Sequence, residues 1–210
     1  MPRPSRQLDR GMLAAGRALY AEAGCAGLSV RRIAEQAGVN PAMFHYHFGN
    51  RDAFVRVLLQ SLYDEMFADL TVAADDPAQR TPERLRAALR VIARFVRDRR
   101  GLLRHLARDA FAGEPAVVAF VKANLPRHLG LVGRLVAQGQ REGVLRAVPL
   151  PQALSFIVGA MGAPILAGAA LAESGLAPAD FAATFDADVL SDAALDERID
   201  LVLAGLAAHG

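Results

Sequence analysis

The feature that most constrains the fold is the stretch from Leu28 to Phe54, in which a glycine separates two short helical segments. Ser29 and Asn40 are each suited to cap the N-terminus of one segment, and Pro41 fits the first turn of the second. Gly38 permits the left-handed backbone that a tight turn between helices requires. The arrangement predicts a helix-turn-helix, a motif whose second helix enters the major groove of DNA.

The side chains of this stretch divide into an inward and an outward set. We expect Ile33, Val39 and Phe44 to be buried, and Ala34 must be small because the second helix crosses it. The outward side chains of that second helix are then Met43, His45, Tyr46 and His47. Side chains of these types can contact base edges and phosphates.

The rest of the chain carries apolar residues at helical spacing and no alternating runs typical of strands. With 53% hydrophobic residues, the chain can bury a sizeable core. We therefore predict an all-α fold of about nine helices, with a three-helix N-terminal head on a larger helical C-terminal body. The predicted head spans residues 1–52 and the body residues 53–210, and residues 175–185 are expected to form a loop.

The charge distribution favours a polyanion as partner of the head. Residues 1–60 contain eight arginines and four acidic residues, whereas residues 61–210 contain sixteen basic and eighteen acidic ones. A basic end on a mildly acidic body suits nucleic acid. The single cysteine, Cys25, excludes an intrachain disulfide and fits the reducing cytoplasm.

At this point the stretch resembles the DNA-binding region of the tetracycline-repressor (TetR) family. The matching positions are Ile33-Ala34, Ala37-Gly38-Val39, Phe44, His47-Phe48, Arg51 and Phe54. The resemblance covers about residues 8–60 and extends to the body only as architecture. It implies a ligand-responsive regulator, a repressor, that binds a palindromic operator in double-stranded DNA as a homodimer. We expect no catalytic residue, no cofactor and no metal.

The resemblance also assigns roles to individual residues of the head. Arg31, Met43 and His45 would read base edges, and bidentate contact with guanine is the best chemistry for Arg31. Phosphate contacts would come from Ser29, Tyr46, His47 and Arg51. A structural role for His47, capping local backbone groups, is the alternative. Ala42, Met43 and His45 depart from the common family pattern, so the resemblance does not give the operator sequence.

In the body, the resemblance implies a pocket for a small effector, and mostly apolar walls favour an apolar or aromatic one. Asn124 and His128, four residues apart in an apolar helix, could orient the ligand. The candidate pocket residues are Phe67, Leu70, Phe95, Leu103, Phe111, Phe120, Asn124, His128 and Met161. Filling the core is the alternative role for most of them.

Two further features of the body concern contacts between subunits. The last two large helices would form a dimer interface through Ala160, Ala163, Ala167, Leu195, Ile199, Val202 and Leu206. A stripe of arginines at helical spacing comprises Arg86, Arg90, Arg94 and Arg97. The stripe is a solvated face, the entrance for an acidic effector, or an intersubunit contact with the acidic segment 173–200.

Two other classes of protein are alternatives to a soluble regulator. Residues 153–172 carry no charge and are long enough to span a membrane, which would make the chain a membrane-tethered regulator. Pro164, the many small residues and the lack of flanking Lys or Arg argue against a span, so no membrane partner is expected. A helical enzyme is the remaining alternative, but the sequence contains no nucleophile–base set, phosphate loop or metal-ligand spacing.

Overall fold

The computed structural model describes residues 4–208, with side chains from Leu8 onward. Within that range the regular elements are helices, apart from one isolated bridge between Leu145 and Ala207, so the all-α prediction is confirmed. The helices of the described residues are α1 (Pro4–Ala23), α2 (Val30–Ala37), α3 (Pro41–Phe48), α4 (Arg51–Ala74), α5 (Thr81–Asp98), α6 (Arg100–Phe111), α7 (Pro115–Arg141), α8 (Leu150–Glu173), α9 (Ala179–Phe185) and α10 (Asp192–Leu206), with a short 3₁₀ helix (Gly24–Gly27) after α1 and a π-helical turn (Asp186–Leu190) after α9.

The short helix α9 lies where the sequence predicted a loop, so that prediction is wrong. A helix of seven residues is not stable by its own propensity and needs tertiary packing. Phe185 supplies that packing, because its side chain is buried and its ring lies against Gly168. A β-carbon at Gly168 would come within 2.9 Å of the Phe185 ring, so the glycine makes the close approach possible.

The chain divides into two compact units. The head unit comprises the residues up to Asp64 together with Gly101–Asn124. The body unit comprises Glu65–Arg100 and the residues from Leu125 onward. The predicted domain boundary at residues 52 and 53 falls at the start of α4, whereas the head unit continues to Asp64 and includes most of α6.

The core of the head unit is built around aromatic rings. Phe44 and Phe48 of the helix-turn-helix pack on Phe54 of α4, with ring centroids 5.1 Å and 4.8 Å from that of Phe54. Gly16 of α1 lies against the same ring, and a β-carbon there would be 2.5 Å from a Phe54 ring carbon. This close contact between α1 and α4 gives α2 and α3 a rigid support.

In the body unit, α5 packs against α10 through an apolar core flanked by ion pairs. The arginine stripe of α5 meets aspartates of α10 in antiparallel order: Arg86 pairs with Asp200, Arg90 with Asp196 at 2.6 Å, and Arg94 with Asp192 at 3.0 Å. We call these three pairs the arginine–aspartate ladder. The partners belong to the same chain, which corrects the alternative of an intersubunit contact for these arginines.

Candidate nucleic-acid interface and body cavity

Side-chain caps fix the N-termini of α2 and α3, and a glycine ends α2. Ser29 Oγ accepts a hydrogen bond from the Arg32 N–H at 3.2 Å, and Asn40 Oδ1 accepts one from the Ala42 N–H at 2.9 Å. Gly38 ends α2 in the left-handed conformation, with φ 66° and ψ 33°. The predicted caps are therefore confirmed, and they define the path of the backbone between the two helices.

One face of this motif is buried and the other is open to solvent. Ile33, Ala34 and Phe44 are each 0% exposed, as expected for the contacts that fix the helix crossing. Tyr46 is 80% exposed on the opposite face of α3. The other exposed residues among the predicted DNA contacts are Ser29, Arg31, Ala42 and His45, while Met43 is partly buried.

Arg31 differs from its neighbour Arg32 in the state of its guanidinium group. Arg32 donates a hydrogen bond to the Gly27 carbonyl at 3.0 Å and lies 3.9 Å from the Glu22 carboxylate. Arg31 has no hydrogen bond or ion pair with any residue that the structure describes. Its charge and its five N–H donors are therefore available to a ligand.

A sharp turn follows α3 and contacts one of the predicted base readers. Gly49 has φ 73° and ψ −65°, and the Asn50 N–H donates to the Phe48 carbonyl at 2.8 Å, which is the geometry of a γ-turn. The Gly49 carbonyl oxygen lies 2.9 Å from Nδ1 of His45. The sequence did not reveal this contact.

Two residues predicted to contact phosphate are engaged inside the protein, which corrects their assignment. Nδ1 of His47 lies 2.6 Å from the Asp9 carboxylate, and the His47 side chain is only 7% exposed. Arg51 donates hydrogen bonds to the carbonyl oxygens of Leu28 at 3.1 Å and Cys25 at 2.5 Å. The buried His47 imidazole and the Arg51 guanidinium, which two backbone carbonyls hold, both support the backbone around α2 and α3.

A buried carboxylate on α6 was missed by the sequence analysis. Asp109 is 4% exposed and accepts a hydrogen bond from the Cys25 N–H at 2.7 Å. Arg108 also donates to the Asp109 carboxylate at 3.0 Å and to the Ala23 carbonyl at 2.9 Å. These bonds tie α6 to the turn between α1 and α2. The sequence signal for this role is that Asp109 is an acidic residue in a helix that otherwise carries basic ones.

Burial and hydrogen bonding shift the pKa of Asp109 in opposite directions. Burial alone would raise the pKa of Asp109, but the hydrogen bonds from the Cys25 N–H and from Arg108 outweigh it and the pKa is lowered. Burial raises the pKa of the Cys25 thiol to about 12, with the Asp109 charge adding to the effect. Cys25 is therefore a neutral, unreactive thiol at physiological pH, and Asp109 is ionised.

The body unit contains an apolar cavity of about 370 Å³ between α5, α7 and α8. His128 is the one polar side chain among its lining residues, which otherwise carry aliphatic groups or none. They are Leu89, Ile92, Ala93, Val96, Leu125, His128, Leu129, Val132, Leu154, Ile157, Val158, Met161, Gly162, Ile165 and Leu166. The volume and the apolar walls are typical of small-molecule sites.

Of the nine predicted pocket residues, the structure places His128 and Met161 in this cavity and the other seven elsewhere. Phe111 is 93% exposed, and Leu103 and Phe120 pack on the core of the head unit. Asn124 is buried in the head unit, where its side-chain amide group donates to Gln60 Oε1 at 2.9 Å. The remaining three are Phe67, which lies under Arg127, Phe95, which lies under Arg99, and the fully buried Leu70.

The predicted dimer residues also separate into two groups. Leu195, Ile199, Val202 and Leu206 are at most 5% exposed, because this face of α10 packs inside the body unit, so their assignment is corrected. Ala163 and Ala167 of α8 are exposed and Ala160 is partly exposed. Exposed apolar side chains on the same two helices include Phe156, Val158 and Leu171 of α8 and Leu201 of α10, exposed by 45%, 54%, 42% and 67%.

The apolar helix α8 is long enough to cross a membrane by length and composition, with a mean hydropathy of 1.9 over its most apolar window. Only 22% of that window is buried in the chain. Its buried side chains include Ile157, Met161 and Ile165, and it packs on α5 and α10, the two helices that carry the arginine–aspartate ladder. Charged helices packed on a segment disfavour its insertion into lipid.

The described residues contain no group of three or more His, Cys, Asp or Glu side chains placed to hold a metal ion. A capped two-helix motif with an exposed second helix is the geometry of a DNA-binding helix-turn-helix.

Residues 12–58 match the family described as bacterial regulatory proteins, tetR family. A curated relative, the probable HTH-type transcriptional regulator YttP of Bacillus subtilis (strain 168), is 25% identical over 134 residues. That alignment covers 63% of this chain and 65% of YttP, slightly less than two thirds of the relative's length.

Solved structures extend the likeness to the body. The ketosteroid transcriptional regulator KstR2 of Mycobacterium tuberculosis superposes with a TM-score of 0.70 over 96% of this chain and 95% of its own, at 18% identity. AibR, in complex with isovaleryl coenzyme A and operator DNA, superposes with a TM-score of 0.63 over 74% of this chain and 84% of its own, at 19% identity. At these identities the likeness establishes the fold. The tetR-family match covers residues 12–58, and the shared fold extends over nearly the whole chain.

Proposed function

We propose that the protein is a homodimeric repressor that binds a palindromic DNA operator and releases it when a small apolar molecule occupies the body cavity. The observation that carries this proposal is the open face of the helix-turn-helix. Arg31, His45 and Tyr46 are exposed there on a backbone that caps hold in place. A rigid helix with free donors, acceptors and an aromatic ring is suited to major-groove contact.

Within this proposal, the residues of the open face take different roles. Arg31 contacts a guanine, and Met43 and His45 contact neighbouring base edges, with Ala42 close to the same groove. Ser29 and Tyr46 contact phosphates and position the motif. His47 and Arg51 act indirectly, because each supports the backbone around α2 and α3.

A DNA-binding assay tests the proposal directly. The purified protein is titrated against DNA from upstream of its own gene and against a shuffled sequence of equal composition, at several salt concentrations. We expect tight binding of the upstream DNA that weakens steeply with salt yet keeps its preference over the shuffled sequence. Equal affinity for both sequences throughout the salt series would contradict sequence-specific regulation.

The dimer would form through the exposed small residues of α8 around Ala163 and Ala167, together with Leu201 of α10. Small side chains let helices approach closely, and two heads about 34 Å apart can reach successive major grooves. Ala163→Arg places a long charged side chain in this face, whereas Ala183→Arg, at an exposed position of α9, is the matched control. We expect sedimentation equilibrium to show at least tenfold weaker dimerisation for A163R only. Wild-type protein that is monomeric at micromolar concentration would contradict the dimer.

Binding of an effector in the body cavity is supported by its apolar walls, and AibR, a structural neighbour, was solved with an acyl coenzyme A and operator DNA. A ligand that binds one conformation better than another shifts the population, and with it the affinity for DNA. The effector is expected to be largely apolar, with its polar group placed at His128.

Two glycines of α8 provide a matched test of the cavity. Gly162 lines the cavity and Gly159 does not, and a β-carbon at either position meets no atom within 4 Å. Gly162→Leu therefore fills part of the cavity, while Gly159→Leu adds the same side chain outside it. With aliphatic acids and alcohols as probes, we expect thermal stabilisation of wild type and G159L but not of G162L. Equal stabilisation of all three proteins would place the ligand elsewhere.

A membrane-tethered regulator is the second candidate, because α8 is apolar and mostly unburied within the chain. The dimer accounts for the same exposed face without a bilayer. Expression in cells followed by detergent-free lysis and ultracentrifugation separates the two. Recovery in the supernatant supports the soluble cytoplasmic dimer, and recovery only after detergent extraction supports the membrane-tethered form.

A further inference from the structure

We propose that His45 selects a base carrying a hydrogen-bond donor in the major groove, adenine or cytosine, because the turn after α3 holds its ring in one tautomer. The inference rests on the proposed function, since it concerns the DNA that α3 would contact. It adds the identity of the readable base, which the family resemblance does not give at this position.

The γ-turn after α3 brings Gly49 back against His45. Gly49 adopts φ 73°, a conformation that a residue with a β-carbon rarely takes. Its N–H donates to the His45 carbonyl at 3.0 Å, and its own carbonyl oxygen lies 2.9 Å from Nδ1 of the His45 ring. His45 and Gly49 are therefore joined twice, once through the backbone and once through the side chain.

The contact with Gly49 determines which nitrogen of the His45 ring carries the hydrogen. A carbonyl oxygen can only accept a hydrogen bond, so Nδ1 of His45 must be the donor and must carry the hydrogen. A neutral imidazole has one N–H, and the other ring nitrogen, Nε2, is then an acceptor only. No second hydrogen bond to the His45 ring is found among the residues that the structure describes.

Nε2 of His45, as an acceptor, needs a hydrogen-bond donor in the major groove. Adenine N6 and cytosine N4 are the donors that base pairs present there, whereas guanine and thymine present acceptors. An acceptor at Nε2 therefore favours adenine or cytosine and opposes guanine or thymine at the same place. Arg31 has donors only and favours the opposite kind of base, so the two residues would read complementary chemistry within one half-site.

Selection from a pool of randomised operator sequences tests the base preference. Wild type, His45→Ala, His45→Gln and His45→Arg are each used to enrich DNA, with Arg31→Ala as the control for a different base position. We expect one position per half-site at which wild type prefers adenine or cytosine at least about fivefold. That preference should vanish in H45A, persist in H45Q, which retains an acceptor, and change to guanine in H45R.

The tautomer has a readout that does not depend on DNA. Nitrogen-15 spectra of the imidazole groups distinguish an Nδ1–H ring from an Nε2–H ring, and the His45 signals are those missing from H45Q. We expect Nδ1–H in the free protein at pH 7.5. An Nε2–H or doubly protonated ring overturns the inference, even if DNA binding is normal.

The outcomes of the selection separate the inference from the proposed function. Enrichment of a defined operator whose His45-dependent position is guanine or thymine overturns the inference alone. Enrichment with no position that depends on His45 does the same. If no sequence is enriched by any of the proteins, sequence-specific DNA binding itself fails and the base preference fails with it.

Discussion

The head unit and the body unit use charged side chains in opposite ways. In the head, Asp109 is buried under several donors while Arg31, on the outer face, has no partner among the described residues. In the body, the arginines of α5 are paired one by one with aspartates of α10 at partly exposed positions. The sequence contains more arginines in the body than in the head, yet the free cation of functional interest is in the head.

The difference shows that the number of charges in a segment does not reveal what they are available for. Arg90 and Asp196 are separated by 106 residues, and nothing local to α5 predicts the partner. A paired, solvent-screened arginine adds little stability and is a poor ligand site. A buried carboxylate adds more stability, and an unpaired exposed arginine adds almost none but can bind a partner.

Among the changes considered, removing the buried Asp109 carboxylate should have the largest effect on the stability of the protein. Asp109→Ala leaves the Cys25 N–H without its acceptor and the Arg108 guanidinium with only the Ala23 carbonyl, and we expect a loss of about 1.5–3 kcal/mol in the free energy of unfolding. Urea denaturation measures it. Asp109→Asn keeps the shape and one acceptor and should lose less. A D109A protein as stable as wild type would show that the cluster contributes nothing.

The same carboxylate should make stability depend on pH. The pKa of Asp109 is lower in the folded protein, so its contribution is complete above the unfolded value of about 3.9 and is lost as pH falls towards the folded pKa. The stability difference between wild type and D109N should therefore shrink below about pH 4. A difference that grows on acidification would mean that the folded pKa is raised.

The unpaired arginine of the head should matter for DNA but not for folding. We expect Arg31→Ala to cost about 1–3 kcal/mol of affinity for the operator and to relax preference at one base pair. Arg32→Ala is the control, because Arg32 is held by Gly27 and lies near Glu22. Fluorescence anisotropy with matched and mutated operators measures both. Equal weakening by R31A on every sequence would make Arg31 a backbone contact.

Breaking one pair of the arginine–aspartate ladder should have the smallest effect on the stability of the protein. The Arg90 and Asp196 side chains are each more than one third exposed, so Arg90→Ala should cost no more than about 0.2–1 kcal/mol of stability. Salt should reduce even this difference, because exposed ion pairs are screened. Denaturation at 50 mM and 500 mM salt measures it. A loss that is large and independent of salt would show that the ladder is effectively buried.

Prediction from sequence succeeded where the relevant interactions are local. The caps at Ser29 and Asn40 and the turn at Gly38 each depend on residues a few positions apart, and the structure contains all three. The helices of the body were found from apolar periodicity, except α9, which depends on the packing of Phe185 against a distant glycine. Local signals cannot contain such a contact.

Assignments that required knowledge of neighbours distant in sequence were less successful. His47 and Arg51 have the residue types of phosphate contacts, but Asp9 and the carbonyls of Cys25 and Leu28 engage them inside the head. Leu195 and Ile199 have the apolar spacing of a dimer interface, but the same spacing serves an intrachain core. Periodicity shows that a face will be buried without showing against what.

The sequence by itself determined the helix-turn-helix and the all-helical class, because backbone conformation and capping are properties of neighbouring residues. Only the tertiary structure decided which polar groups remain free and where the cavity lies. Those outcomes depend on side chains brought together from separate helices. The tautomer of His45 depends partly on local sequence, because its partner Gly49 is only four residues away. The contact itself exists because the turn directs the Gly49 carbonyl back towards α3.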